Sequence, residues 1–195
     1  AQGANMIITH EPTYFTGLDE TDWLQQDPIY LEKKRLLEEG NLVVWRYHDM
    51  MHMKQPDAIY EGLLAERGWQ QYGQPAAPPY AMGHSGPANF EESFRDYYVL
   101  PRTKLRDLAA FLKQKLQMEA VQVVGDGEME CIRVGVLVGG GSLGFGDEAM
   151  PMKVMRAKDL DVMVCGEITE WTLCAYVNDA RMLGRRRAMI VIGHE

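Results

Sequence analysis

Asn5-Met6-Ile7-Ile8-Thr9-His10-Glu11-Pro12 reads as a buried strand that ends in a histidine and a stiff turn. Proline disfavours helix at the residue before it, so Glu11 is held extended and the turn is shaped before any ligand arrives. The same device recurs along the chain. Leu42-Val43-Val44-Trp45-Arg46-Tyr47 runs into His48, with His52 one helical step later, and Met189-Ile190-Val191-Ile192-Gly193 runs into His194. In an open α/β sheet the carboxyl ends of parallel strands meet at one crevice, where ligands sit. Imidazole is the commonest metal ligand that proteins supply. Glu11, Asp49 and Glu195 stand directly beside these histidines and add oxygen donors, so the expectation is a mixed nitrogen/oxygen metal centre with more than one ion.

Outward from these strand ends, strand-like and helix-like stretches alternate, which favours an α/β fold. Asp27-Pro28 supplies an N-cap and a first-turn proline for a helix carrying Tyr30, Leu31, Leu36 and Leu37, closed by Gly40. Pro56 opens a second helix, with Ile59, Leu63 and Leu64, stopped at Gly68. Residues 69–96 hold Pro75, Pro78, Pro79, Gly83, Gly86 and Pro87 and read as a long loop, with His84 as a solvated loop histidine. After a short strand Tyr97–Leu100, Pro101 marks a seam between two lobes. Thr103 then caps an amphipathic helix bearing Leu105, Leu108, Ala109, Leu112 and Leu116. Strands Val121–Val124 and Ile132–Val138, a helix around Asp147–Lys158, strand Asp161–Cys165, helix Trp171–Leu183 and strand Ala188–Ile192 complete the pattern.

The 195 residues, 46% hydrophobic and 25% charged, suffice for a real core. A net charge of −8 argues against nucleic-acid or anionic-membrane partners, and no apolar run approaches the ~20 residues of a membrane span. Arg185-Arg186-Arg187 is too short a basic run to alter that and reads as a solvated turn. Three cysteines, Cys131, Cys165 and Cys174, show no metal-finger spacing. Their odd number fits a reduced, cytoplasmic interior, with Cys131 and Cys165 as small core residues. The chain opens at Ala1-Gln2-Gly3 and stops at His194-Glu195, each one step from a strand, so further segments are expected at both ends.

His48-Asp49-Met50-Met51-His52 carries the strongest local signal. On a helix, imidazoles at i and i+4 share one face with Cβ atoms ~5–6 Å apart, close enough to flank one site. Met50, Met51 and Met53 then serve as core or wall. The competing reading is a polar helix entry capped by Asp49. A rival motif also exists: Gly139-Gly140-Gly141-Ser142-Leu143-Gly144 follows a strand, with Glu167 about twenty residues on, in the outline of a dinucleotide fingerprint. Pro151 inside the following helix and the late position in the chain weigh against it. No G-x-S-x-G elbow supports nucleophilic catalysis.

Taken in order, five segments resemble one family. Gly3–Pro12 resembles the hydrophobic-(S/T)-H-H-P segment of the NGG-one-interacting-factor-three-like family, also catalogued as homologues of GTP cyclohydrolase one, type two. His48–His52 resembles its H-T-N-L-D segment. Val123-Val124-Gly125-Asp126 with Val134–Ser142, then Val162–Glu167, then Gly193-His194 follow in the family's order. The resemblance implies two intertwined α/β lobes with mixed and parallel sheets and flanking helices. Residues 1–98 plus 184–195 would form the first lobe and residues 99–183 the second. It also implies a hexameric ring of dimers and two divalent ions (Zn, Fe, Mn or Ni) in the interlobe cleft.

Carried over by position, His10 is a ligand and Glu11 takes the place of a second histidine. His52 stands where the family has an aspartate, with His48 beside it, and His194 is the last histidine ligand. The family's final carboxylate ligand would lie four residues past His194, so Glu195 does not match it. The His-to-Glu and Asp-to-His exchanges leave the ligand types unchanged in sum. Two functions follow as expectations. One is a metal-dependent hydrolase acting on a nucleotide or phosphoester, with His10, Glu11, His52 and His194 holding metal and His48 or Glu167 as general base or orienting group. The other is a non-catalytic oligomeric scaffold in which the ions only hold the protein together.

Overall fold

A computed structural model describes residues 3–53, 58–73, 91 and 94–194 of the chain. It divides into two units, Ala1–Asp57 and Ala58–Glu195, each taken by itself below. In the first, strand β1 (Met6–Thr9) pairs in parallel with β2 (Val43–Arg46), in the register Met6 with Val43 through Thr9 with Arg46. Helix α1 (Pro28–Glu39) connects them. The Asp27 carboxylate accepts from the Ile29 and Tyr30 amides at 2.9 and 3.0 Å, so the cap read from the sequence is present in full. A short helix α2 (Asp49–Met53) follows β2. Met50 is 61% exposed and therefore neither core nor wall, contrary to expectation, because it lies on the solvent side of this short helix.

The second unit begins with α3 (Ala58–Arg67). Its sheet has five strands: β3 (Tyr97–Lys104), β4 (Gln122–Val124), β5 (Glu130–Leu137), β6 (Val162–Cys165) and β7 (Ala188–Val191), in the order β3-β5-β6-β7-β4. The central pairs β5–β6 and β6–β7 are parallel, and the two edge strands run antiparallel. Helices α4 (Leu105–Lys115), α5 (Met150–Ala157) and α6 (Ala175–Met182) complete the unit. Alternation along the strands sends residues to opposite faces. Val134, Val136, Val162, Val164 and Ile190 pack with Leu105, Leu108, Ala109 and Leu112 of α4. Leu137, Met163, Cys165 and Met189 pack instead with Val154 and Met155 of α5 and Val177 of α6. A sheet covered on both faces explains why β6 and β7 are buried at every position. Each fully buried aliphatic side chain stabilises by ~1.5–3 kcal/mol.

Three local expectations are corrected. Thr103 does not cap a helix: it pairs with Cys131 inside β3, and α4 starts after Lys104 with no side-chain cap. Pro101 is not a seam but lies within β3 at an edge of the sheet, where the register shifts between Val99 and Thr103, a place that tolerates a missing amide. The helix expected over Trp171–Leu183 is broken by a kink at Thr172, so a π turn (Glu170–Cys174) precedes α6. Strand β7 is hydrogen-bonded between β6 and β4. Pro56, His84, Glu195 and most of the long loop lie outside the described residues. Among the described residues, no helix is long and apolar enough to cross a membrane.

Candidate metal centre

Parallel pairing of β1 and β2 decides where the first three histidines go. Thr9 lies opposite Arg46, and the Tyr47 amide donates to the Thr9 carbonyl at 2.7 Å, so both strands leave the sheet at the same edge. His10 emerges from one and His48 from the other. The His52 amide donates to the His48 carbonyl at 3.2 Å, one helical turn, which returns His52 to the same side. His10 Nε2 is 3.1 Å from His52 Nε2. The ring centroids of His10, His48 and His52 lie 4.5, 4.7 and 5.1 Å apart in pairs. One nitrogen from each ring falls within 4.8 Å of the others, a grouping that among the described residues these three alone form.

Carboxylates hold two of these rings from behind. Glu11 Oε1 lies 3.1 Å from His10 Nδ1, and Asp49 Oδ1 lies 2.7 Å from His48 Nδ1. The hydrogen bond with His48 holds the Asp49 carboxyl below its usual range, and the Arg46 guanidinium, 3.7 Å away, acts in the same direction. His10 and His48 are half-buried, whereas Glu11 and Asp49 are exposed.

The second unit repeats the device. The parallel register Cys165 with Val191 continues into an Ile192 amide bond to the Cys165 carbonyl, so Glu167 and His194 leave β6 and β7 side by side. Glu167 Oε1 is 2.8 Å from His194 Nδ1. The Glu167 amide donates to Ser142 Oγ at 2.9 Å, and Ser142 Oγ donates to the Gly139 carbonyl at 2.8 Å. This explains the glycine-rich stretch. Gly139–Gly146 forms a 3₁₀ segment packed on the end of β6, not a turn opening a crossover helix, and Pro151 stands in the first turn of α5. The dinucleotide reading is set aside on that ground.

Of the six site residues read from the sequence, His10, His48 and His52 come together, Glu11 stands behind His10, and Glu167 pairs with His194 in the second unit. Ser142 was not foreseen, since a serine inside a glycine run carries no sequence signal of its own. Asp49 reads from the sequence as an oxygen donor or a helix cap, and the structure pairs it with His48 Nδ1.

The whole chain, residues 1–195, matches the family model described as Duf34/NIF3 (NGG1p interacting factor 3). The chain belongs to that family. Solved structures similar to this NIF3-family chain include a Bacillus cereus protein related to NIF3, at 17% identity and a TM-score of 0.66, covering 98% of this chain and 73% of that one. Staphylococcus aureus protein SA1388 is similar at 19% identity and a TM-score of 0.60, covering 97% of this chain and 67% of that one. At such identities the likeness shows the fold alone. No curated protein matches this chain.

Proposed function

We propose that this NIF3-family chain binds two divalent metal ions and is a metal-dependent hydrolase of the GTP cyclohydrolase one, type two, kind, acting on a nucleotide or phosphoester. The observation that carries the proposal is the convergence of His10, His48 and His52 nitrogens within 4.8 Å. The donor set fits a transition ion. Two nitrogens each ~2.0–2.1 Å from a tetrahedral zinc stand about 3.3 Å apart, and His10 Nε2 and His52 Nε2 are 3.1 Å apart. Imidazoles that close must either share a proton or turn both lone pairs to one cation. Carried over by family position, the metal-binding residues would be His10, Glu11 and His52 in the first unit and His194 in the second. Bound divalent ions would polarise a substrate oxygen and acidify water. The same carry-over gives His48 and Glu167 the task of accepting or holding a proton, and each exchanges a hydrogen bond with an ionisable neighbour. Assembly into a ring of dimers belongs to the same reading.

A second reading, a non-catalytic oligomeric scaffold, is favoured by one observation. Ile7 and Ile8, on opposite faces of β1, are 40% and 61% exposed, as are Val43 and Trp45 of β2 at 61% and 48%, a surface suited to protein contact. One experiment separates the two readings. Metal content of the purified protein is measured, and nucleotides and phosphoesters are screened for hydrolysis with and without chelator. Stoichiometric metal with chelator-sensitive turnover supports the hydrolase; stoichiometric metal with no turnover on any substrate favours the scaffold. A protein that takes up no metal refutes both.

A further inference from the structure

We infer that His48 is a metal ligand and Glu11 is not: His10, His48 and His52 form a three-imidazole site, and Glu11 and Asp49 position the first two rings. This deepens the metal-binding reading and rests on it, while departing from the roles carried over by position.

The geometry assigns each nitrogen a task. A histidine that ligates a metal usually gives its other ring nitrogen to a carboxylate or carbonyl, which fixes the tautomer and the ring's orientation. His10 meets this through Nδ1 and Glu11 Oε1, and His48 through Nδ1 and Asp49 Oδ1. With Nδ1 donating to a carboxylate, each neutral ring carries its lone pair on Nε2. His10 Nε2 faces His52 Nε2 at 3.1 Å, a ligand-to-ligand spacing. His48 closes the triangle, its ring 4.5 Å from His10 and 4.7 Å from His52. Glu11 sits behind His10 rather than among the three nitrogens, and it is not part of the group whose donors lie within 4.8 Å of one another. The Glu11 carboxylate thus supports its neighbour His10. His48 and His52 supply the other two nitrogens of the group.

Chemical consequences follow. Three neutral imidazoles suit zinc, cobalt, nickel and copper and give magnesium and calcium little reason to bind. Three protein ligands also leave a tetrahedral ion one position for a non-protein ligand, the pattern of catalytic rather than structural zinc sites.

The test uses the full chain, stripped of metal and titrated with Co(II), whose absorption reports ligand number, with Zn(II) in competition. Long-range ¹H–¹⁵N spectra read which ring nitrogens are metallated. His48→Gln is expected to abolish the tetrahedral Co(II) spectrum. Glu11→Gln and Asp49→Asn are expected to keep that spectrum and weaken affinity by about 10–100-fold, as loss of an orienting partner does. Circular dichroism of His48→Gln separates loss of a ligand from loss of folding, and His48→Ala provides a second variant. Nε2 metallation of His10 and His48 in the wild type supports the inference independently of any variant. Should His48→Gln bind Co(II) like the wild type while Glu11→Gln loses the spectrum, the inference is overturned and the two-ion reading survives. If the wild type binds neither ion, both fall.

Discussion

Gly166 is where the second unit is least forgiving, and replacing it with alanine tests the account of how Glu167 and His194 are placed. A Cβ at position 166 would overlap the backbone nitrogen of Gly139, with Gly139 Cα and the Gly193 carbonyl oxygen each at 3.1 Å. All three neighbours are backbone, so no side chain can swing aside. The strand end of β6 must move away from the 3₁₀ segment or from β7. Overpacking costs ~1–3 kcal/mol where side chains can adjust. With backbone on both sides the upper end applies, about 3 kcal/mol, which lowers the melting temperature by about 6–12 °C at ~2–4 °C per kcal/mol. Gly127→Ala is the matched control, because its Cβ would meet only Arg106 Cβ at 3.6 Å, an ordinary contact. Scanning calorimetry of both variants decides the matter. A Gly166→Ala protein melting within about 2 °C of the wild type would show that the strand ends are not packed as described.

Other outcomes follow from single residues. Asp161, 6% exposed, accepts from the Ile132 and Arg133 amides at 2.8 and 3.0 Å, so Asp161→Ala strands two donors at ~1–3 kcal/mol each. Urea unfolding should register a loss of about 2–6 kcal/mol, and a loss below about 1 kcal/mol would contradict the burial. Asp27→Ala removes the cap of α1 and should cost ~0.5–2 kcal/mol, seen as faster amide exchange in the first unit alone. Burial pushes the Cys131 thiol up to about 11 and Cys165 higher still, whereas Cys174 is half-buried. Native protein should therefore give one fast-reacting thiol at pH 8 and three after denaturation. The same shift has a stability sign. An unfolded thiol ionises from its ordinary value of 9.0 and the folded Cys131 only near 11, so stability falls as pH rises across that window.

The sequence shows some of this fold and site directly, and the reasons differ by element. Helix α1 is legible because its cap, first-turn proline and closing glycine are all local, and strands β1, β2, β6 and β7 stand out as short apolar runs. A helix capped at Thr103 begins one residue too early, since the observed cap position is Lys104. Threonine at 103 has a capping side chain, but pairing with Cys131 holds it in the sheet, and tertiary contact overrides local preference. The break at Thr172 has no proline or glycine to announce it. In the site, His10, His48 and His194 are legible because each follows a strand, and His52 because it stands one helical turn after His48. Which carboxylate backs which ring is not, because Glu167 and His194 are joined only by the register of β6 against β7.

That register limits what the chain can tolerate. In a strand, neighbouring residues point to opposite faces and advance by ~3.3 Å. Deleting one residue between Ala188 and Gly193 would carry His194 back along the sheet and turn its ring away from Glu167. A deletion among Leu183–Arg187 could instead be taken up by the link between α6 and β7, which carries no ladder bonds. Insertions and deletions should therefore be accepted in that link and rejected a few residues later, although both stretches look equally short and unremarkable on the page.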